Sequence, residues 1–153
     1  MAESFAAKDP NYAEKVRSSF ARQGLMRHLG ATLSRVEPGG TEIRVDFREE
    51  LSQQHGYFHG AVSGAIADSA AGYAAFSLTP PGSTVLTVEY KLNTLAPALG
   101  ESLVARGSVL RFGRTLVVCK ADVFAVRAGV ESLCATMLST IMQLPATDSR
   151  AEG

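Results

Sequence analysis

The stretch from His59 to Leu78 constrains this chain more than any other. It has the length of a helix, yet alanine stands at Ala61, Ala65, Ala67, Ala70, Ala71, Ala74 and Ala75, and glycine at Gly60, Gly64 and Gly72. A helix that is small or apolar nearly all round has no solvated face, so it is buried. Its thin side chains let other backbone come close from several sides. Pro80-Pro81-Gly82 ends it, because proline lacks the N–H and clashes with the preceding turn. Such a helix needs a wrapping.

The rest of the chain supplies one. Ser83 to Leu95, Glu101 to Phe112, Thr115 to Val126 and Val130 to Gln143 read as strands, punctuated by Pro97, by Phe112-Gly113-Arg114 and by Arg127-Ala128-Gly129. A long antiparallel meander of this kind wants one face covered. Ahead of the helix, Thr41 to Phe47 alternates, with Ile43, Val45 and Phe47 on one side and Arg44 and Asp46 on the other, the mark of a half-buried strand. Ala31 to Val36 reads as another strand and Pro38-Gly39-Gly40 as a turn, while Glu49 to Phe58 has no clean period and reads as a loop. At the front, Tyr12, Val16 and Phe20 predict one amphipathic helix over Asn11 to His28, started by Pro10 and stopped by Gly30. The expected fold is α+β, an antiparallel sheet wrapped around a long central helix. Residues 1–28 are expected to form a tail and a helix packing on the domain, 29–144 the domain itself, and 145–153 a disordered tail.

The chain has 153 residues, enough for one domain with a real core, and its formal net charge is zero. That balance lacks the basic footprint of a nucleic-acid binder. The longest apolar run is broken by Asp68, so no membrane span is expected; Met1 to Pro10 has no apolar leader core. Cys119 and Cys134 sit in strand patterns without metal or redox spacing and read as buried thiols. The expected location is cytoplasmic.

The chemistry concentrates between Gln53 and Asp68. Asp68 lies in the most apolar helix, with no Lys or Arg within four residues on either side. A buried carboxylate is costly unless paired or bound, so Asp68 either meets a distant partner or does chemistry. Gly60, Gly64, Asp68 and Gly72 recur every four residues and share one stripe. The carboxylate is therefore expected to stand between two glycines with free space on both sides. His59-Gly60 opens the helix, where unpaired N–H groups and the positive dipole end face outward and can hold a developing oxyanion. Gly60 and Asp68 are two turns apart, which leaves room for a carbonyl at one end and a water or nucleophile at the other. Gln53 or Gln54 can aim an amide at a carbonyl or a water. His55 and His59 have H-x3-H spacing, but they straddle a loop–helix junction without an H-E-x-x-H pattern, so no metal is expected; a neutral His59 bonded to backbone fits better. Tyr57, Phe58, Tyr73 and Phe76 can line an aromatic pocket or belong to the core. Arg111 and Arg114 bracket a tight turn, and their planar forks suit phosphate oxygens.

The segment from Gln53 to Asp68, with His59-Gly60 and Asp68 at its key points, resembles the active-site segment of PaaI-like hotdog-fold acyl-CoA thioesterases. Thr87-Val88-Glu89-Tyr90, Leu95-Ala96-Pro97-Ala98 with Gly100-Glu101, and Phe112-Gly113-Arg114-Thr115-Leu116 resemble the strand, turn and hairpin that follow it in that family. The resemblance implies a hydrolase that splits acyl-CoA into carboxylate and CoA without a cofactor. It implies Asp68 as general base or nucleophile, the Gly60 N–H after His59 as oxyanion donor, Gln53 as the amide that positions water or carbonyl, and Thr87 as a hydroxyl facing the carboxylate across a dimer interface. His55, Gly64, Arg111 and Arg114 are the expected substrate contacts. It further implies a homodimer or homotetramer whose sites draw on two subunits. Two other functions fit the same fold: a non-catalytic acyl-CoA-binding protein, and an acyl-thioester dehydratase or hydratase, whose His-plus-acid motifs are not seen here.

Overall fold

A computed structural model describes residues 5–146. The chain begins with two short helices, α1 (Tyr12–Ala21) and α2 (Gly24–Leu29), followed by strands β1 (Thr32–Glu37) and β2 (Gly40–Asp46). A single 3₁₀ turn, Glu49–Leu51, precedes the long helix α3 (Gly60–Phe76). Four long strands complete it: β3 (Thr84–Thr94), β4 (Ser102–Phe112), β5 (Leu116–Arg127) and β6 (Val130–Leu144). All six strands form one sheet in the order β1-β2-β4-β5-β6-β3, every described pairing antiparallel. The expected tail over 145–153 falls, from 147 on, outside the described residues.

Alternation along the strands sorts their side chains. Leu103, Ala105 and Val109 of β4, Val117, Cys119, Ala121 and Val123 of β5, and Ala135, Met137 and Ile141 of β6 are buried under α3. The helix presents Ile66, Ala67, Ala70, Ala71 and Ala74 to them, all wholly buried. Contact is closest where Ala70 passes over Gly107: a β-carbon on Gly107 would lie 2.3 Å from the carbonyl carbon and oxygen of Ala70. Beside it, the buried Thr41 hydroxyl donates to that same Ala70 carbonyl at 2.7 Å. Alanine on the helix and glycine on the strand thus let backbone rest on backbone.

The front of the chain differs from expectation. One helix over Asn11 to His28 is replaced by two, because Gln23 is extended (φ −72°, ψ 111°). Glycine at 24 is a weak helix former. The break lets α1 bury Val16 against α3 while α2 turns to bury Met26 and Leu29. Gly30 does stop the second helix, in the left-handed region at φ 70°.

The two sheet edges are unlike. β1 is short and carries Arg35 and Glu37, the usual protection of an edge. β3 spans 11 residues, with Leu86, Val88 and Tyr90 each about half exposed or more (59%, 56% and 49%). A β-bulge at Val88 shifts its register with β6.

The Gly107–Ala70 contact makes a specific prediction. Gly107→Ala must push helix and sheet apart, and overpacking of this kind typically costs about 1–3 kcal/mol or more. Urea denaturation should show the loss, while alanine at Gly129, on an open turn, should cost no more than its positive φ imposes.

Candidate active site

The loop before α3 is fastened by backbone. The Phe58 N–H donates to Ala98 O at 3.0 Å and the His59 N–H to Leu51 O at 2.8 Å, fixing where the helix starts. His59 is not its first residue but its cap: Nδ1 accepts from the Ala61 N–H at 2.9 Å. Nδ1 must be unprotonated to do so. The Val62 N–H turns back to His59 O at 2.9 Å. Among the described residues the Gly60 N–H donates to no protein acceptor, and nothing lies within 4 Å of where its β-carbon would be. It opens on a cavity of about 400 Å³ whose walls include Gln53, Tyr57, Phe58, Ser63, Ala96 and Cys134. Gln53 Oε1 accepts from the His55 N–H, which leaves its NH₂ as the free donor end.

Asp68 lies two turns further along α3, half-buried, and Thr87 of β3 donates its hydroxyl to Asp68 Oδ1 at 2.8 Å. Among the described residues no cation pairs with this carboxylate. A second cavity of about 350 Å³ opens beside it, between α1, α3 and the start of β3, with Gln23, Gly72, Tyr73, Phe76 and Leu86 among its walls. Ser19 and Tyr73 share a hydrogen bond of 3.3 Å, and the Ser69 hydroxyl donates to Gln23 Oε1 at 3.3 Å. Burial pushes the Tyr73 phenol up, against the pull of hydrogen bonds with Ser19 and Gln23, so it stays a protonated donor.

The structure brings the residues singled out in the sequence into two groups, not one. Gln53 and Gly60 share the first cavity; Asp68 and Thr87 share the second. Eight residues of helix separate Gly60 from Asp68 by about 12 Å, and neither of these two cavities holds both. Tyr57 and Phe58 go with the first cavity, Tyr73 and Phe76 with the second, so they do not form one aromatic pocket. Gly64 is buried, lines neither cavity, and is covered by Leu92, whose Cδ2 lies 3.7 Å from where a β-carbon on Gly64 would be. The space expected on both sides of Asp68 exists only toward Gly72, because β3 crosses the stripe at Leu92. The Thr87 hydroxyl meets Asp68 of its own chain, since β3 runs alongside its own α3. His55 is exposed in its loop and lines neither cavity. Arg111 and Arg114 are exposed at the β4–β5 turn and line neither cavity; the turn is tied to β6 by Gln143, whose amide donates to Gly113 O at 2.7 Å.

Sequence reasoning missed the contribution of α1. Ser19 of α1 and Gln23 just beyond it line the carboxylate cavity, and no local pattern signals that they do so. Ser63 also passed unnoticed as one more small residue of α3. The cap at His59 is testable by itself: His59→Ala should cost about 1 kcal/mol in urea denaturation, and His59→Asn, whose side-chain oxygen can accept in the same place, should recover most of it.

With this geometry in hand, likeness to known proteins can be weighed. The thioesterase superfamily profile matches residues 55–131, which include α3 and strands β3, β4 and β5. A thioesterase family protein from Silicibacter pomeroyi is 47% identical, with 87% of this chain and 98% of that one covered and a TM-score of 0.85. A 1,4-dihydroxy-2-naphthoyl-CoA hydrolase of Listeria monocytogenes is 28% identical over 95 residues, 62% of this chain and 77% of the relative. The PaaI protein from the phenylacetic acid degradation operon of E. coli shares the fold at 16% identity, with 89% and 95% covered and a TM-score of 0.79. A sheet closed over one small-residue helix, a matching profile over half the chain and a structural relative at 47% identity together settle the kinship: the chain belongs to the thioesterase superfamily and has its hotdog fold.

Proposed function

We propose that this chain hydrolyses an acyl-CoA thioester to a carboxylate and CoA, in a site completed by a second copy of itself. One observation carries the proposal. The two cavities have opposite chemistry and lie at opposite ends of the exposed strand β3, the carboxylate cavity at Thr84–Thr87 and the N–H cavity at Thr94–Ala98. Pairing β3 with β3 of another copy, antiparallel about a two-fold axis, sets each N–H cavity of one copy beside the carboxylate cavity of the other. The long edge strand, with Leu86, Val88 and Tyr90 exposed, gives the driving force. The name of the Listeria relative, a hydrolase of a CoA thioester, supports the substrate class.

In this arrangement the thioester carbonyl oxygen accepts from the Gly60 N–H at the positive end of α3. As the tetrahedral intermediate forms, that N–H and the helix dipole meet the new negative charge without reorganising. The His59 cap occupies the neighbouring Ala61 N–H and so holds the first turn rigid. Gln53 offers its amide NH₂ to the carbonyl or to the attacking water. From the other copy, Asp68 takes a proton from that water, or attacks the carbonyl carbon itself to form an anhydride that water then opens. Thr87 steadies the carboxylate by its hydrogen bond to Oδ1, leaving the second oxygen for the reaction. Collapse of the intermediate breaks the C–S bond and releases CoA as its thiol or thiolate.

Two single variants test both the roles and the sharing. Asp68→Ala should fold and lose about 10³-fold or more in kcat. Gly60→Pro deletes one N–H at a first-turn position that tolerates proline, after a His59 already extended at ψ 138°, and should cost about 10²–10³-fold. Co-refolding the two inactive proteins should restore about a quarter of wild-type turnover, because half the dimers then hold one intact site. No recovery, although native mass spectrometry finds mixed dimers, would place all the groups in one chain.

Arg111 and Arg114 are proposed to meet the phosphates of CoA at a strand end. Replacing both by alanine should raise KM for CoA thioesters several-fold with kcat nearly constant, the signature of uniform binding. The effect should shrink on pantetheine thioesters, which lack the nucleotide. An unchanged KM for the CoA substrate moves the phosphate site elsewhere.

A further inference from the structure

Among the residues of the N–H cavity that the scheme above leaves unused, Tyr57, Thr94 and Ser63 carry hydroxyls, and Ser63 is the one on α3 itself. It is 2% exposed, sits one turn into α3, and lines the cavity with Gly60 and Gln53. Among the described residues its hydroxyl makes no hydrogen bond, whereas Ser69, Ser77, Thr79 and Thr87 each donate theirs. Nor is it sealed in: the buried, unpartnered hydroxyls cut off from any surface are those of Ser102 and Ser139. The Ser63 hydroxyl therefore opens on the cavity. Burying a hydroxyl without a partner is unfavourable, and a side chain serving only to fill space here would do better as alanine, which the rest of this helix uses freely.

Its position relative to Gly60 gives the hydroxyl a target. Residues three apart share a helix face, and helix side chains lean toward the N-terminus, over the preceding turn. The rise between Gly60 and Ser63 is about 4.5 Å, so an oxygen placed about 3 Å from the Gly60 nitrogen also comes within reach of Ser63 Oγ. The cavity is also lined by Gln53, Tyr57 and Thr94, with Phe58, Ala96 and Cys134 among its apolar walls, but of its side-chain hydroxyls only that of Ser63 stands on the same helix turn as the Gly60 N–H. The Cys134 thiol is turned away and donates to Val123 O at 3.3 Å.

We infer that Ser63 is a second donor to the thioester carbonyl oxygen, completing with the Gly60 N–H a two-point oxyanion site in the first turn of α3. The inference rests on the acyl-thioester reading and is tested apart from turnover. Wild type and Ser63→Ala are titrated calorimetrically with the ketone analogue of phenylacetyl-CoA, in which CH₂ replaces sulfur, and with its counterpart in which CH₂ also replaces the carbonyl. The same pair is made for octanoyl-CoA. Wild type should bind the ketone about five- to tenfold more tightly than the carbonyl-free analogue, and Ser63→Ala should narrow that gap about threefold or more while its Tm stays level or rises. Ser63→Thr, which restores a hydroxyl, should recover part of the gap. In parallel hydrolysis assays of the parent thioesters, Ser63→Ala should lower kcat about tenfold or more with little change in KM. An unchanged ketone preference in Ser63→Ala, or no binding of any of these analogues by wild type, overturns the inference. An intact, Ser63-dependent preference without hydrolysis overturns the hydrolase reading and leaves Ser63 as a carbonyl-binding residue.

Discussion

Everything in this molecule depends on how closely α3 can lie on its sheet. Gly107 removes the side chain beneath the helix, Ala70 and Ala71 remove it above, and the Thr41 hydroxyl fills the remaining polar need by donating to Ala70 O. Shape-matched backbone contact of this kind is dense, and dense interiors resist deformation. That rigidity matters because both candidate groups, the Gly60 N–H and the Asp68 carboxylate, ride on the same helix. Their separation is fixed by helix geometry, not by loops that can drift. The outer face of the sheet is braced separately. Arg106 grips Glu131 through two bonds of 2.7 Å and Glu42 through one of 2.7 Å, and its guanidinium lies 4.9 Å from the Phe124 ring. Mutual hydrogen bonding lowers the Glu131 carboxyl and raises the guanidinium further, so all three stay charged across the ordinary range. The groups are partly solvated, so the brace orients strands more than it stabilises them.

A helix that holds its two functional ends about 12 Å apart cannot bring both to one reacting carbon. In the proposed pairing of two chains that distance is bridged, because a two-fold axis exchanges the ends of β3. The contrast between the edges follows the same logic. β1 is short and carries Arg35 and Glu37; β3 is long and leaves Leu86, Val88 and Tyr90 exposed, which suits the proposed pairing. Local bends serve this geometry as well. The bulge between Thr87 and Glu89 changes the register of β3 immediately after the residue that holds Asp68, and bulges re-aim side chains in this way.

Much of the fold was legible because the periodicities are strong. Six strands and a central helix emerge within a residue or two of their observed bounds, since alternation and small-residue content are properties of the chain alone. The buried thiols were legible too: Cys119 is wholly buried and its thiol is pushed up to about 12 by desolvation. The front of the chain was less so. Tyr12, Val16 and Phe20 carry a helical pattern that runs on to His28, and only docking on α3 decides that Gln23 must extend. In the site, the sequence determined which residue types are present: a lone carboxylate in an apolar helix, a glycine behind a capping histidine, an amide in the preceding loop. Tertiary structure decided their grouping. It placed Thr87 on Asp68, laid Leu92 over Gly64, brought Ser19 of α1 and Gln23 of the α1–α2 link to the carboxylate cavity, and left the Ser63 hydroxyl facing the other one. Helical spacing says which side chains share a stripe, but what covers that stripe depends on segments far along the chain, and packing alone selects them.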